Sequence, residues 1–484
     1  MTPFLMKDRF CFIPFFAIIN ISNIHDKEVK VMKKTNRRYL GIAALIAVSI
    51  TSICGCSGNS ASSSSSSGSD TTGSVESSAE NAEEITLRFS WWGGDARHQA
   101  TQEVIELYES QNPGVTIVGE YMGLDGYKEK LMTQLAGNTA PDIMQVDVPW
   151  IADLNQQFHS FADINQYSQI DQSGFDPSFV EGYGMYDGIL VGLPSGVNCV
   201  TMLLNTDVME KFGIDAETVW NWDNLLEEGQ KVNQQDPASY FLCIDQYSMV
   251  TRIVQPYLKQ TTGNQLVNED YTMGFTREDL VDLFSYIRQL FDLNVVEPAA
   301  QSFMFKSKYQ ENPLWMNQQA CASLEWVASM QAVKEHFKDH ADVTLPPIAP
   351  DNKNSGLVVR PAHLICINSN SAHPEEAAKF LDFFFNDEEA IEILKDNRSV
   401  PPTEKALEIC NEKGLLDPLT VKAVELGEEN QGMVENAISG NMQLQNIMID
   451  TIEQLGFGEI NPEEAADYMI GQFEIKLEEL KASS

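Results

Sequence analysis

"EEITLRFSWWGG", Glu83 to Gly94, sets Ile85, Leu87 and Phe89 at every second position and then ends in two tryptophans and two glycines. Alternation with period two predicts a half-buried strand, and the glycines mark where it stops. Ala100, Val104, Leu107 and Tyr108 then recur at helical spacing, and this helix is expected to stop before Asn112-Pro113-Gly114. "VTIVGEYM", Val115 to Met122, reads as a second strand. Tyr127, Leu131 and Leu135 share one face of a second helix closed by Gly137, and "APDIMQVD", Ala140 to Asp147, supplies a third strand. This alternation implies an α/β fold with an open parallel sheet, whose ligands sit beyond the carboxyl ends of the strands. Trp91, Trp92, Tyr121, Asp147 and Trp150 all fall at or just past such ends.

Upstream, Lys33, Lys34, Arg37 and Arg38 precede an apolar run from Leu40 to Ile50. A basic segment before such a core is the pattern of an export signal, and the run falls short of the roughly 20 apolar residues that span a bilayer. "ICGC", Ile53 to Cys56, follows it and resembles the lipobox of bacterial lipoprotein signals. By that resemblance Cys56 is acylated and becomes the mature N-terminus, with 32–55 as the signal. A metal or redox CxC pair is disfavoured, because no further cysteine appears in the next hundred residues. Residues 1–31 contain "FCFIPFFAII", Phe10 to Ile19, broken by Pro14. They read as a start called too early, with Met32 the better one and a second membrane segment the alternative. Ser57 to Glu83 is serine, glycine and acid with almost no large apolar residue, so 56–83 is expected to be a tether with a reach of about 28 Å.

Some four hundred residues remain, more than one hydrophobic core usually serves, so two lobes are expected. The whole chain carries 32 Lys and Arg against 70 Asp and Glu. Setting aside the eight basic and three acidic residues up to Cys56 leaves 24 against 67, a formal charge of −43. Nucleic acid and anionic lipid are poor partners for that surface. Cys199, Cys243, Cys321, Cys366 and Cys410 are widely spaced and odd in number, which points to free, buried thiols.

"WWGG", "IELYESQNPGVTIV" and "YKEKLMTQLAGNTAPDIMQVD", followed by "GLPSGVNCVTMLLNTDVMEKFGI" and "HPEEAAKFLDFFFNDEEA", together resemble the extracellular solute-binding proteins of ABC importers. The resemblance is to the sugar-binding family that includes maltose-binding protein, and it runs from about Ile85 to Thr403. It implies two α/β lobes joined by a multi-strand hinge, with ligand in the cleft between them. Laid onto this chain, the first crossing falls near Gly192 to Gly196, the return near "LPPIAP", Leu345 to Pro350, and the third after "RSVPPTEKA". Lobe 1 is then 84–195 with 347–404, and lobe 2 is 196–346 with 405–484.

Sugars present apolar ring faces and many hydroxyls, so aromatic plates and paired polar groups are expected in the site. Trp91 and Trp92 are adjacent on a strand, so they point to opposite faces and at most one is a plate; alternation favours Trp92. Asp147 and Trp150 follow the third strand, where the family often places a binding acid. Trp326 in "ACASLEWVASM" matches a tryptophan that the family uses as a second-lobe plate, with helix core as the alternative. Asn198 and Asp245 are candidate hydroxyl partners, with turn or cap roles as the competing reading. Arg360 and Arg398 sit at segment ends near the crossings.

The sequence contains no HExxH, GxSxG or glycine-rich phosphate loop. His336 and His340 lie one helical turn apart without further ligands nearby and read as a solvated face. The expectation is therefore a monomeric, lipid-anchored protein on the extracytoplasmic face of the cell membrane. It captures a carbohydrate, needs no cofactor, performs no catalysis and delivers its ligand to permease subunits with a separate ATPase. The alternatives are a surface glycoside hydrolase and a binding protein for a cation such as a polyamine.

Overall fold

The computed structural model describes residues 84–306, 308–335, 337 and 340–483. Residues 1–31, the signal, Cys56 and the tether lie outside the described residues, as does His336. No described helix is long and apolar enough to cross a membrane.

The first sheet has the order Val115–Met122, Ile85–Trp92, Ile143–Val146, Leu364–Ile367, Leu193–Pro194. Its first three strands are parallel and are linked by the helices Asp95–Gln111 and Tyr127–Ala136. The sheet is mixed rather than wholly parallel, because Leu364–Ile367 pairs antiparallel with both neighbours. That strand enters straight from the hinge, so it needs none of the crossover helix that a parallel pairing requires. The pleat divides the side chains cleanly. Leu87, Phe89, Trp91, Ile143, Ile365 and Ile367 pack into one core, whereas Trp92, Met144, Val146, Leu364 and Cys366 pack into another with Tyr127, Leu131 and Trp150.

The second sheet has the order Ala341–Thr344, Val200–Asn205, Ala320–Trp326, Tyr240–Leu242. Leu204, Phe241 and Leu324 join the residues of four long helices, Trp222–Gln235, Arg277–Asp292, Met442–Gly456 and Pro462–Ser483, in the largest core. Arg277–Asp292 starts where it does because Thr276 and Asp279 form a reciprocal capping box, satisfying two amides that the first turn leaves unbonded. The five cysteines downstream of Cys56 are all buried, and none forms a disulfide among the described residues.

Between the sheets, Val197–Asn198 pairs antiparallel with Arg360–Pro361, and Val197 also bridges Val400. Three passages of the chain meet there. The return passage lies at Arg360–Pro361, not at Leu345–Pro350. The "LPPIAP" run stays on the second lobe because its backbone groups find partners there: Ile348 N donates to the Trp220 carbonyl, and Gln260 bonds Pro347, Ala349 and Ser355. Residues 405–412 likewise belong with the first sheet's helices, since Ala406 and Cys410 pack on Ile391. Helix Pro418–Glu429 packs on Ala341–Thr344, so the chain, having met the hinge at Val400, moves over to the second sheet between these two helices.

Candidate functional site: the cleft between the sheets

Asp147 and Trp150 follow the first-sheet strand Ile143–Val146, Trp326 ends the second-sheet strand Ala320–Trp326, and Arg360 belongs to the hinge pair. All four line a cleft of about 700 Å³, a volume that includes the solvent at its mouth. Arg360 Nη1 donates to Asp147 Oδ1 at 2.6 Å, and its guanidinium lies 4.6 Å from the Trp326 ring centroid. One hinge side chain thus ties an acid of the first sheet to a tryptophan of the second. Burial alone would lower the Arg360 pKa, but Asp147 outweighs it and holds the group above its usual value. At the rim, Lys308 Nζ lies 3.4 Å from Asp125 and Asn441 Nδ2 lies 3.3 Å from Asp153, so the two lobes also meet outside the cleft.

One wall is the helical run from Gln246 to Thr262, which contains a widened π turn at Val250–Val254. Pro256 explains the widening. Its ring clashes with the carbonyl four residues back, and Gln255 N instead donates to Val250 O, five residues back. Tyr247, Thr251, Arg252, Gln255, Pro256 and Lys259 face the cleft from this run, as do Glu435 and Gln445 from their own positions. Arg252 Nη2 lies 3.1 Å from Glu325, and Lys259 Nζ lies 3.2 Å from Glu435. Gln255 Nε2 and Gln445 Oε1 are buried and have no hydrogen-bond partner among the described residues. A buried, unanswered donor and acceptor on a cleft wall cost stability unless a ligand or water meets them. Sequence reasoning missed this wall, though "TRIVQPYLK", Thr251 to Lys259, does carry polar residues at positions 251, 255 and 259, four apart.

Behind the wall, Glu325 is pushed up to about 7, chiefly by burial, against the pull of Arg252 and the Trp326 amide. Its folded pKa exceeds its unfolded value, so the folded state binds the extra proton, and the stability this contributes is lost as pH rises from about 4.5 to 7. The wild type should therefore lose stability relative to Glu325→Gln, whose neutral amide stands in for the protonated carboxyl, as pH rises across that window in urea titrations. A wild type that gains on the variant with rising pH would show that the Arg252 pairing dominates instead.

The remaining sequence candidates are not brought to the cleft lining. Trp91 is fully buried, donating from Nε1 to His98 Nδ1 and stacking on Tyr121. Trp92 is also in a core: it packs against Tyr127, Trp150 and His363, so it supports the cleft tryptophan Trp150 from behind. Asn198 accepts from the Ala328 amide beside the hinge. Asp245 caps the wall helix by accepting from Ser248 N and Oγ. Arg398 is buried between Gln145 and Thr101 and lines a separate cavity of about 390 Å³ with Phe384 and Lys395. His340 pairs with Asp207, and no cluster of metal-ligating side chains occurs among the described residues.

Comparison with known proteins adds to this geometry. Residues 94–391 match the family model for bacterial extracellular solute-binding proteins. An sn-glycerol-3-phosphate-binding periplasmic protein of Shigella dysenteriae is 22% identical, over 80% of this chain and 91% of its own. An arabinooligosaccharide-binding protein of Halalkalibacterium halodurans is 26% identical, over 48% of this chain and 50% of its own. Among solved structures, a periplasmic oligogalacturonide-binding protein of Yersinia enterocolitica in complex with saturated digalacturonic acid superposes with a TM-score of 0.76. It is 25% identical and covers 82% of this chain and 99% of its own. A family match across well over half of the chain, joined to two sheets that meet at a three-passage hinge, makes this chain a member of the bacterial extracellular solute-binding proteins.

Proposed function

We propose that the chain is the lipid-anchored substrate-binding subunit of an ABC importer and that it holds a carbohydrate in the interlobe cleft. The observation that carries this reading is the pairing of unmet polar groups with aromatic surface: Gln255 Nε2 as donor and Gln445 Oε1 as acceptor, beside Trp150 and Trp326. A sugar hydroxyl both donates and accepts, and a sugar ring face stacks on indole. The arabinooligosaccharide- and digalacturonate-binding relatives support the same class of ligand.

A ligand that touches both lobes favours the closed arrangement, and the closed form is the one delivered to the permease. The two cleft acids are already engaged, Asp147 by Arg360 and Glu435 by Lys259. A glycosidase needs two carboxyls placed to act on one bond, and both cleft acids are held by cations instead, so the hydrolase reading gains nothing here. A polyamine would find the same acids occupied. Cys56 carries the lipid, through the lipobox it closes and the serine tether that follows it.

Protein purified from native membranes tests both halves. Calorimetry across sugars, polyamines and peptides should find a sugar bound without turnover, and mass spectrometry should find diacylglyceryl on Cys56. Binding confined to polyamines or peptides, or sugar cleavage abolished by replacing Asp147 or Glu435, would sink the carbohydrate reading. An unlipidated N-terminus elsewhere would sink the anchor.

A further inference from the structure

The wall helix is out of character with the rest of the chain. Acids make up 70 of 484 residues, yet the seventeen residues from Gln246 to Thr262 contain none, while Arg252 and Lys259 both face the cleft. Lys259 is 2% exposed, and its ammonium makes one hydrogen bond among the described residues, to Glu435 Oε1 at 3.2 Å. That is long for a charge-assisted bond, which normally falls at 2.7–2.9 Å. An ammonium carries three N–H groups, so two more can be donated into the cleft that Lys259 lines. One helical turn earlier on the same face, Gln255 Nε2 is an unmet buried donor. On this helix, positive charge and donors are in excess, and it carries no carboxylate to answer them.

We propose that the ligand is an acidic sugar, a uronic acid or oligouronide, whose carboxylate is received by Lys259 and Gln255. This rests on the carbohydrate reading above and narrows it. A carboxylate offers two acceptor oxygens and no donor, so it answers both side chains at once. The hydroxymethyl group that occupies the same position in a neutral hexose can accept a hydrogen bond but brings no negative charge to the ammonium. Glu435, which is more exposed than Lys259, completes a shared arrangement in which the ammonium bridges protein and ligand carboxylates. The neighbouring Arg252 is held by Glu325 and the Leu324 carbonyl, which keeps the wall rigid while Lys259 engages the ligand.

Titration calorimetry on the full chain uses uronic disaccharides, each paired with the neutral disaccharide of the same linkage, with glycerol 3-phosphate as a third arm. At least one uronate should bind tenfold or more tightly than its neutral counterpart, and its affinity should fall as salt rises. Lys259→Met, close in volume, and separately Gln255→Leu should each reduce the uronate-to-neutral ratio at least tenfold. Circular dichroism and thermal melts establish that each variant is folded. Neutral sugars binding as well as every uronate would overturn the proposal while leaving the carbohydrate reading intact. Binding of no sugar of either kind would overturn both. Tighter binding of glycerol 3-phosphate than of any uronate would assign the acidic group to a phosphate and overturn the uronate.

Discussion

Trp92→Ala is expected to cost about 3–5 kcal/mol of folding stability, whereas Trp326→Ala is expected to leave the unliganded protein nearly as stable and to weaken sugar binding tenfold or more. The contrast follows from what each ring touches. Trp92 is 7% exposed and meets Tyr127, Trp150 and His363 at centroid distances of 5.0, 5.1 and 4.6 Å. Its removal would open a cavity against three rings that cannot collapse into it. Trp326 is partly exposed at the end of its strand, lines the cleft and has the Arg360 guanidinium over its ring. Apolar ring surface covered by a sugar contributes about 25 cal/mol per Å², so the lost contact amounts to roughly 1–3 kcal/mol in binding. A factor of ten corresponds to about 1.4 kcal/mol. Urea denaturation and calorimetry on both variants decide the matter. If Trp326→Ala unfolds as readily as Trp92→Ala yet binds sugar normally once folded, the tryptophan of the second sheet is structural and the plate lies elsewhere.

Much of this architecture is written locally, and what is not local was misplaced. Period-two alternation in Ile85–Trp92 and helical spacing in Asp95–Gln111 were readable because each depends only on neighbours in sequence. The pleat also foretold that Trp91 and Trp92 point opposite ways, and they do enter different cores. It could not foretell that both faces are covered at the strand end, because the cover comes from Tyr121 and His98 on one side and from Trp150 and His363 on the other. Asp147, Trp150, Trp326 and Arg360 meet at the cleft because they stand at strand ends or in the hinge, where an open sheet leaves room. The wall helix escaped notice for the opposite reason. Its π turn before Pro256 lets the helix continue and brings Arg252, Gln255 and Lys259 to the cleft, and a π turn has no periodicity that a sequence reading follows. The crossing at Arg360–Pro361 was placed too early, since the proline-rich run before it is held by the amide of Gln260, a long-range contact with no local signature.

Gly196→Ala tests the hinge directly and should cost on the order of 3 kcal/mol or more, at the upper end of what overpacking usually costs. Three passages of the chain converge on this residue. Its carbonyl accepts from Ala362 N at 2.8 Å, the next residue's amide donates to Val400 O at 2.9 Å, and the preceding amide donates to His363 O at 2.9 Å. A Cβ added at Gly196 would stand 2.0 Å from the Arg398 carbonyl oxygen and 3.2 Å from that of Val400. Both neighbours are backbone atoms of one passage, which the Val400 carbonyl fixes against Val197, so no side chain can swing aside to make room. The strands must separate, which breaks the pairing that sets how the lobes meet, and ligand affinity should fall along with stability. Gly182→Ala supplies the control: it lies within the helix Pro177–Gly184, its Cβ would meet nothing within 4 Å, and alanine in a helix is favoured over glycine by up to about 1 kcal/mol. Denaturation midpoints for the two variants should therefore move in opposite directions. A Gly196→Ala protein with unchanged stability and unchanged affinity would mean that the three passages can part freely, and that the hinge is looser than its bonds imply.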